Sequence, residues 1–442
     1  MSGTGTAAVC TGVDNSSLLI DRRALVDLGG FQPALGPESV DVELSLRILN
    51  GSGAVIVSRA VELLTEEEYR EGTLDWRIVH QAGESTRPPS RRTRSMRRTG
   101  VPRIALLTDV RGWAFDNIAK QIVKHLGDDY QFDVIPVGDV GGVRRALILS
   151  SGADLIHFLW RELPHELFGG RFSGEIAEIG LSDARFLAQF VRGRATSTTI
   201  YDHLWSTVPD LEVRAPTFER LSAYSVASRR LFAQYSNTVA GLPPPACVTQ
   251  DGVDLDRFTV HRRPRSNDAP LVIGWAGNSL WGDPKDDVKG LRTILRPALD
   301  RLRDEGFRFE EVIVDRKDGL IPHESMPSLY RRMDLLVITS SMEGTPNPLL
   351  EAMATGLAVV TTDVGVAPEA FGDRQREFIV KERTVDAIAQ ALRRLLRDPA
   401  LVQELGEENL VSIRAWGWSI RAQGYRALFE AALAGDPVLS RP

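Results

Sequence analysis

Cysteine is almost missing from this 442-residue chain. Cys10 and Cys247 are its only two, which excludes a disulfide framework or a cysteine metal cluster and fits a reduced, cytoplasmic setting. No apolar run approaches the roughly 20 residues that span a bilayer. The N-terminus lacks a charged head followed by an apolar core, so no secretory leader is expected. A net charge of -6 gives no overall footprint for nucleic acid. Histidines, cysteines and carboxylates nowhere fall at metal-ligand spacing, so no metal is expected. What remains is an ordinary soluble composition, 43% hydrophobic and 25% charged, with length for two or three domains.

The most informative stretch is Ser340 to Gly356. The run before it, Asp334-Leu335-Leu336-Val337-Ile338-Thr339, has the composition of a strand covered on both faces in a parallel sheet. Asn347 then reads as a helix N-cap and Pro348 as the first helical residue, where its missing N–H costs nothing. Glu343 falls on the loop at the carboxyl end of the strand and Glu351 at the end of the first helical turn. Both can face one crevice, where open α/β sheets bind ligands and a helix start attracts phosphate. The plainer reading is a solvated loop residue and a carboxylate that favours the helix dipole.

Elsewhere strand and helix patterns alternate, the grammar of parallel sheets. Strands are expected at 103–109, 132–137, 155–159 and 198–201, then at 271–276, 312–315, 334–339 and 358–361. Helical spacing runs through 115–126, 291–304, 384–397 and 420–434. Gln250-Asp251-Gly252-Val253-Asp254 reads as a turn before the polar linker His261–Asp268. His157 and His203 stand at strand ends, where a histidine beside aromatics is either a hydrogen-bonded core residue or a cleft residue. Trp416 and Trp418 read as packing anchors.

The two glutamates seven residues apart, followed by Ala352–Thr362 and Gly365-Val366-Ala367-Pro368-Glu369, resemble the nucleotide-sugar site of the family 4 glycosyltransferases, retaining enzymes of the GT-B fold. The resemblance runs from about Pro102 to about Ala432. It implies an α/β architecture of two Rossmann-like domains facing across a cleft. Residues 101–262 would form the acceptor domain, 268–410 the nucleotide-sugar domain, and 411–442 a helix crossing back to the first half.

It also implies roles. Glu343 would hold the hydroxyls of the transferred sugar, Glu351 the ribose and Lys289 the donor diphosphate, with His203, or Asp202 beside it, bordering the reacting sugar. Gly277, Asn278, Gly344, Thr345, Asn347, Pro348 and Leu349 would line the donor place. Gly112, in the loop after the first strand of this half, and His157 would lie on the acceptor side. Asn278 stands where the family commonly has arginine, and Lys285 or Arg316 could compensate.

Residues 1–80 have a different character. Ser16–Phe31 and Asp41–Arg47 resemble the last third of a family 2, GT-A glycosyltransferase, with Asp41 and Glu43 as its acidic pair. The nucleotide half and its Asp-x-Asp are missing, so a structural remnant, a small N-terminal α/β segment, is expected. The basic linker 81–100 carries the run Arg87–Arg98, which reads as a solvated spacer or as a contact for anionic lipid at the inner membrane face.

The expected activity is transfer of a hexose-type sugar from a nucleotide-diphosphate donor to a hydroxyl of a glycan or lipid-linked acceptor, with retention and without a cofactor. Cell-surface polysaccharide or glycoconjugate synthesis would be its setting. A sugar-nucleotide 2-epimerase of the same fold, or a non-catalytic nucleotide-binding scaffold, are the other readings.

Overall fold

Apolar, β-branched segments too short for helices, each followed by a helix, leave the backbone one economical solution: parallel strands whose crossovers cover both faces. The structure, a computed structural model, describes residues 7–11, 17–21, 100–169, 182–204, 206–238, 241–260, 269–282, 286–319 and 321–435. Strands β1 (Ala7–Thr11) and β2 (Ser17–Asp21) pair antiparallel. The remainder of the expected N-terminal remnant, with Asp41 and Glu43, lies outside the described residues, as do the Arg87–Arg98 run, the linker 261–268 and Lys285.

The first sheet contains β3 (Arg103–Thr108), β4 (Gln131–Pro136), β5 (Leu155–Phe158), β6 (Ala195–Ile200), β7 (Ala223–Val226) and β8 (Cys247–Val248). All are parallel, in the order β4-β3-β5-β6-β7-β8. The helix Ala114–Leu126 buries Ile118, Ala119, Ile122 and Leu126 against it, the stripe that helical spacing requires. Strand β6 begins three residues before the expected Thr198, because Thr196, Ser197, Thr198 and Thr199 are buried although polar. Neighbouring strands satisfy their hydroxyls: Thr198 Oγ1 donates to the Phe158 carbonyl at 2.7 Å, and Thr199 and Ser225 share a bond at 2.8 Å.

The second sheet contains β9 (Leu271–Gly277), β10 (Phe309–Asp315), β11 (Leu335–Ile338), β12 (Ala358–Thr362) and β13 (Ile379–Val380). Its order is β10-β9-β11-β12-β13, again parallel. Two buried clusters cover its faces, one under the helix Asn347–Ala354 and one under the helices Arg296–Asp304 and Val385–Arg397.

The chain passes between the sheets twice at one place. Val253 N donates to the Trp416 carbonyl at 2.9 Å, and Trp418 N donates to the Val253 carbonyl at 3.2 Å. Gly252 is needed there, since a Cβ would lie 2.9 Å from Trp418 Cα. Trp416 is buried in the second domain's core and Trp418 in the first's, so Gly417 marks the crossing. The helix Trp418–Ala434 then packs Tyr425, Leu428 and Phe429 onto the first sheet. No helix among the described residues is long and apolar enough to cross a membrane.

Asp251 is fully enclosed at this crossing, with the Tyr425 hydroxyl donating to it at 3.3 Å and Tyr201 Oη 2.9 Å from Tyr425 Oη. Burial pushes its carboxyl up to about 7. A raised folded value means that the native state holds a proton the unfolded chain has lost, so this group's contribution to stability falls as pH rises from about 4 to about 7. Asp251→Asn should therefore gain on the wild type across that window, by at most about 1.4 kcal/mol per pH unit. Urea titrations at pH 5, 6 and 7 test it; parallel pH profiles for the two proteins would exclude Asp251 as the titrating group.

Candidate active site

Lys289 is positioned by a backbone contact. Gly290 has φ +69°, and a Cβ there would lie 2.3 Å from the Thr339 carbonyl oxygen, so only glycine lets this turn rest on the end of β11. Thr339 Oγ1 donates to the Lys289 carbonyl at 2.9 Å and Ser341 N to the Val288 carbonyl at 2.8 Å. Arg383 braces the same turn, donating to the carbonyls of Thr339 (2.8 Å) and Asp287 (2.6 Å). Buried Asp287 caps the following helical turn, accepting from the backbone N–H groups of Arg292 (3.0 Å) and Thr293 (2.7 Å).

The side chain so placed meets Glu343. Lys289 Nζ is 2.5 Å from Glu343 Oε1, and Ser340 Oγ donates to the same oxygen at 2.6 Å. Both charged side chains are less than one-fifth exposed, and the ammonium lies 4.9 Å from the centre of the Trp281 ring. Next to Glu343, Gly344 meets the other domain: a Cβ would fall 1.3 Å from the Tyr201 carbonyl oxygen and 3.1 Å from Asp202 Cα. Behind it, Val366 N donates to the Gly344 carbonyl at 3.0 Å. The Glu343 loop is thus pressed against the first domain just past β6.

The helix after this loop starts one residue earlier than expected. Pro346, extended at φ −69° and ψ +96°, is the N-cap, Asn347 is the first helical residue and Pro348 the second. The Leu349 N–H already turns back to the Pro346 carbonyl at 2.8 Å, which moves the start forward and leaves no side-chain cap. Thr345 Oγ1 is buried without a hydrogen-bond partner. Glu351 accordingly sits in the second turn rather than closing the first.

The two glutamates occupy separate clusters. Glu351, 6% exposed, accepts from the Tyr330 hydroxyl on Oε2 and meets His323 Nε2 at Oε1, both at 2.7 Å. Its carboxylate therefore has a partner on each oxygen.

His203 follows β6 in the first domain. Gln234 Nε2 donates to the Ser206 carbonyl at 2.8 Å, which turns Gln234 Oε1 toward His203 Nδ1 at 3.1 Å. Nδ1 must then carry the proton, and Nε2 is an acceptor, buried and unpartnered. Burial, the largest influence, pushes the imidazole below its ordinary value, so it is neutral at pH 7. Arg161 fixes this loop, donating to Asp202 Oδ1 and to the Leu204 carbonyl, each at 2.6 Å. That employs Asp202, the alternative to His203, in structure.

Other expected residues fall elsewhere. His157 is a core residue and not an acceptor contact: it is fully buried on β5, bonded to Ser197 Oγ at 3.0 Å and packed edge-on against Tyr425 and Phe429, and burial pushes it down to about 3. Gly277 ends β9. Asn278 closes its own turn, its Oδ1 accepting from Leu280 N at 3.1 Å. Gly112 has φ +77° and donates its N–H to Asp116 at 2.8 Å. Arg316, a suggested replacement for the missing arginine, instead lies 4.7 Å from the ring centre of Trp113 in the opposite domain. Arg230 to Asp363 (2.8 Å) and Gln250 to Glu369 (2.7 Å) also join the domains. Among the described residues no group of three or more potential metal ligands comes together.

Sequence reasoning missed His323, Tyr330, Gln234, Ser340 and Arg383. Only Ser340 had a usable signal, its place three residues before Glu343; the others come from distant segments that the fold gathers.

Residues 319–410 match the family model for group 1 glycosyl transferases. The D-inositol 3-phosphate glycosyltransferase of Streptomyces griseus is 31% identical over 26% of this chain and 24% of its own length. For the O-antigen chain mannosyltransferase B of Escherichia coli the values are 31%, 33% and 44%. For the lipopolysaccharide core biosynthesis mannosyltransferase LpcC of Rhizobium leguminosarum bv. viciae they are 36%, 39% and 56%. The chain thus spans between about a quarter and just over half of these relatives' lengths. Among solved structures, the sucrose-phosphate synthase of Thermosynechococcus elongatus aligns with a TM-score of 0.54 at 19% identity, over 75% of this chain and 100% of that one. The Anabaena protein HepE, in complex with UDP, aligns with a TM-score of 0.52 at 14% identity and the same coverages. The chain accordingly has the GT-B fold, and its residues 319–410 are similar to group 1 glycosyl transferases.

Proposed function

We propose that this protein transfers a sugar from a nucleotide-diphosphate donor to an acceptor hydroxyl with retention at the anomeric carbon. The observation that carries the reading is the Lys289–Glu343 pair, held at 2.5 Å on a loop whose next residue abuts the opposite domain. Breaking the donor bond makes the diphosphate more negative and the sugar oxocarbenium-like. An ammonium has three N–H donors, so Lys289 can meet a diphosphate oxygen while keeping Glu343. Together with the N–H at the start of the helix Asn347–Ala354, it supplies preorganised positive charge where negative charge develops. Glu343 holds the sugar's hydroxyls beside that cation, and Glu351 takes the ribose.

Acceptor binding falls to the first domain. His203, held by Gln234, borders this place as a positioning group, while the donor's own phosphate oxygen takes the acceptor proton on the same face. The UDP of the HepE complex supports a nucleoside-diphosphate donor. The O-antigen and lipopolysaccharide core roles in the relatives' names support a glycan or lipid-linked acceptor, and with it work at the inner membrane face.

The direct test is a panel of UDP-, GDP- and dTDP-sugars scored for donor-dependent nucleotide release. At least one should turn over, and Lys289→Ala should lower kcat by about 10²–10³-fold, the usual loss when a preorganised charge stabiliser is removed. Release from no donor, or an unchanged kcat in the variant, would refute the reading. Gly344→Ala probes the closed contact separately. Its methyl group cannot fit beside the Tyr201 carbonyl, so X-ray scattering should report a larger radius than for the wild type, and kcat should fall by about 10²-fold through misplacement of the reacting groups.

A further inference from the structure

Glu351 holds its two partners in different ways. Tyr330, on Oε2, is fully buried in the helix Met326–Tyr330 and belongs to the second domain's core. His323, on Oε1, lies on a single 3-10 turn, His323–Ser325, with its side chain about one-third exposed. One partner is fixed, and the other can swing out without opening the core. A buried carboxylate must keep a donor on each oxygen, so whatever displaces His323 has to bring a donor of its own, as a ribose hydroxyl does.

We propose that His323 guards the ribose place on Glu351: its Nε2–H occupies the carboxylate oxygen that a nucleoside hydroxyl takes over, and donor binding moves the imidazole aside. This deepens the donor reading above and rests on it. Glu351 is then oriented by Tyr330 before the donor arrives, and its second oxygen is kept satisfied until the exchange.

The exchange carries a proton with it. Arg257 Nη1 donates to His323 Nδ1 at 3.1 Å, so in the neutral ring Nδ1 is the acceptor and Nε2 bears the hydrogen that reaches Glu351. The groups around the ring are the Glu351 carboxylate, Arg257, Glu324 on its own turn, the Tyr330 hydroxyl beyond Glu351 and the Phe258 ring at 5.5 Å. The hydrogen bond to Glu351 is the strongest influence and raises the imidazole above its ordinary value, with Arg257 and burial opposing. Protonation adds its hydrogen at Nδ1 and so turns the exposed Arg257 guanidinium away from that atom; a protonated His323 then grips Glu351 more firmly than a neutral one. Once displaced it loses that partner, its pKa falls and the proton leaves.

Calorimetric titration with UDP-glucose and GDP-mannose, whose diphosphates are doubly esterified and do not titrate near neutrality, reads this out between pH 5.5 and 8. Wild-type affinity should rise with pH, by at most about tenfold per unit below the imidazole pKa, the limit for one linked proton. Protons should appear in the buffer on binding. His323→Ala should bind more tightly than wild type at pH 5.5 and show no slope. His323→Gln, which keeps an N–H donor but cannot titrate, should also be flat yet bind less tightly than the alanine variant. PH-independent wild-type binding, a wild-type slope retained in His323→Ala, or weaker binding by His323→Ala at every pH would overturn the proposal. Absence of donor binding in all three proteins would overturn it together with the donor reading.

Discussion

Everything at the cleft depends on a place where backbone meets backbone. Gly344 lies so close to the Tyr201 carbonyl that no side chain fits between them, and the residue before it is Glu343. Close packing makes such a contact a locating device, because interiors transmit strain and do not absorb it. Arg161 holds the Tyr201–Leu204 loop from below through three hydrogen bonds, and the Val366 N–H holds Gly344 from behind. The distance between the His203 loop and the Lys289–Glu343 pair is thus set by main chain, with side chains left to do chemistry.

The charges follow the same economy. A half-buried lysine and glutamate would each be costly alone, and removing one partner from such a pair leaves the other uncompensated. Here Ser340 adds a donor to Glu343, and the Trp281 face accepts part of the ammonium's field. The pair contributes a fixed electrostatic arrangement more than it contributes stability. His203 complements it as an uncharged positioning group, kept neutral by burial and kept in one tautomer by Gln234.

How much of this could be read beforehand depended on whether the cause was local. The alternation of apolar runs and helical stripes announced two parallel sheets, because Leu335–Ile338 and Ala358–Val360 are buried on both faces and say so in their composition. Glu343 and Gly344 were legible as residues of the loop after a strand, whereas Lys289 was singled out only through the family resemblance. Strand β6 was only half legible, since Thr196 to Thr199 look polar and are buried solely because adjacent strands supply their partners. His157 misled for a related reason: its neighbour Ser197 and the rings of Tyr425 and Phe429 come from chain 40 residues and more away. The hold of His323 and Tyr330 on Glu351 was invisible, because nothing in a helical start shows which distant turn will lie against it.

The return of the helix Trp418–Ala434 to the first sheet has an effect on biosynthesis. A ribosome emits β3 to β8 first, yet the surface that Tyr425, Leu428 and Phe429 finally cover stays open until the whole second sheet has been made. During translation the earlier domain must therefore wait, greasy side exposed, for a lid encoded after the whole second sheet. Its last layer and its partner domain arrive together, so the cleft between them takes shape only as synthesis of this stretch finishes.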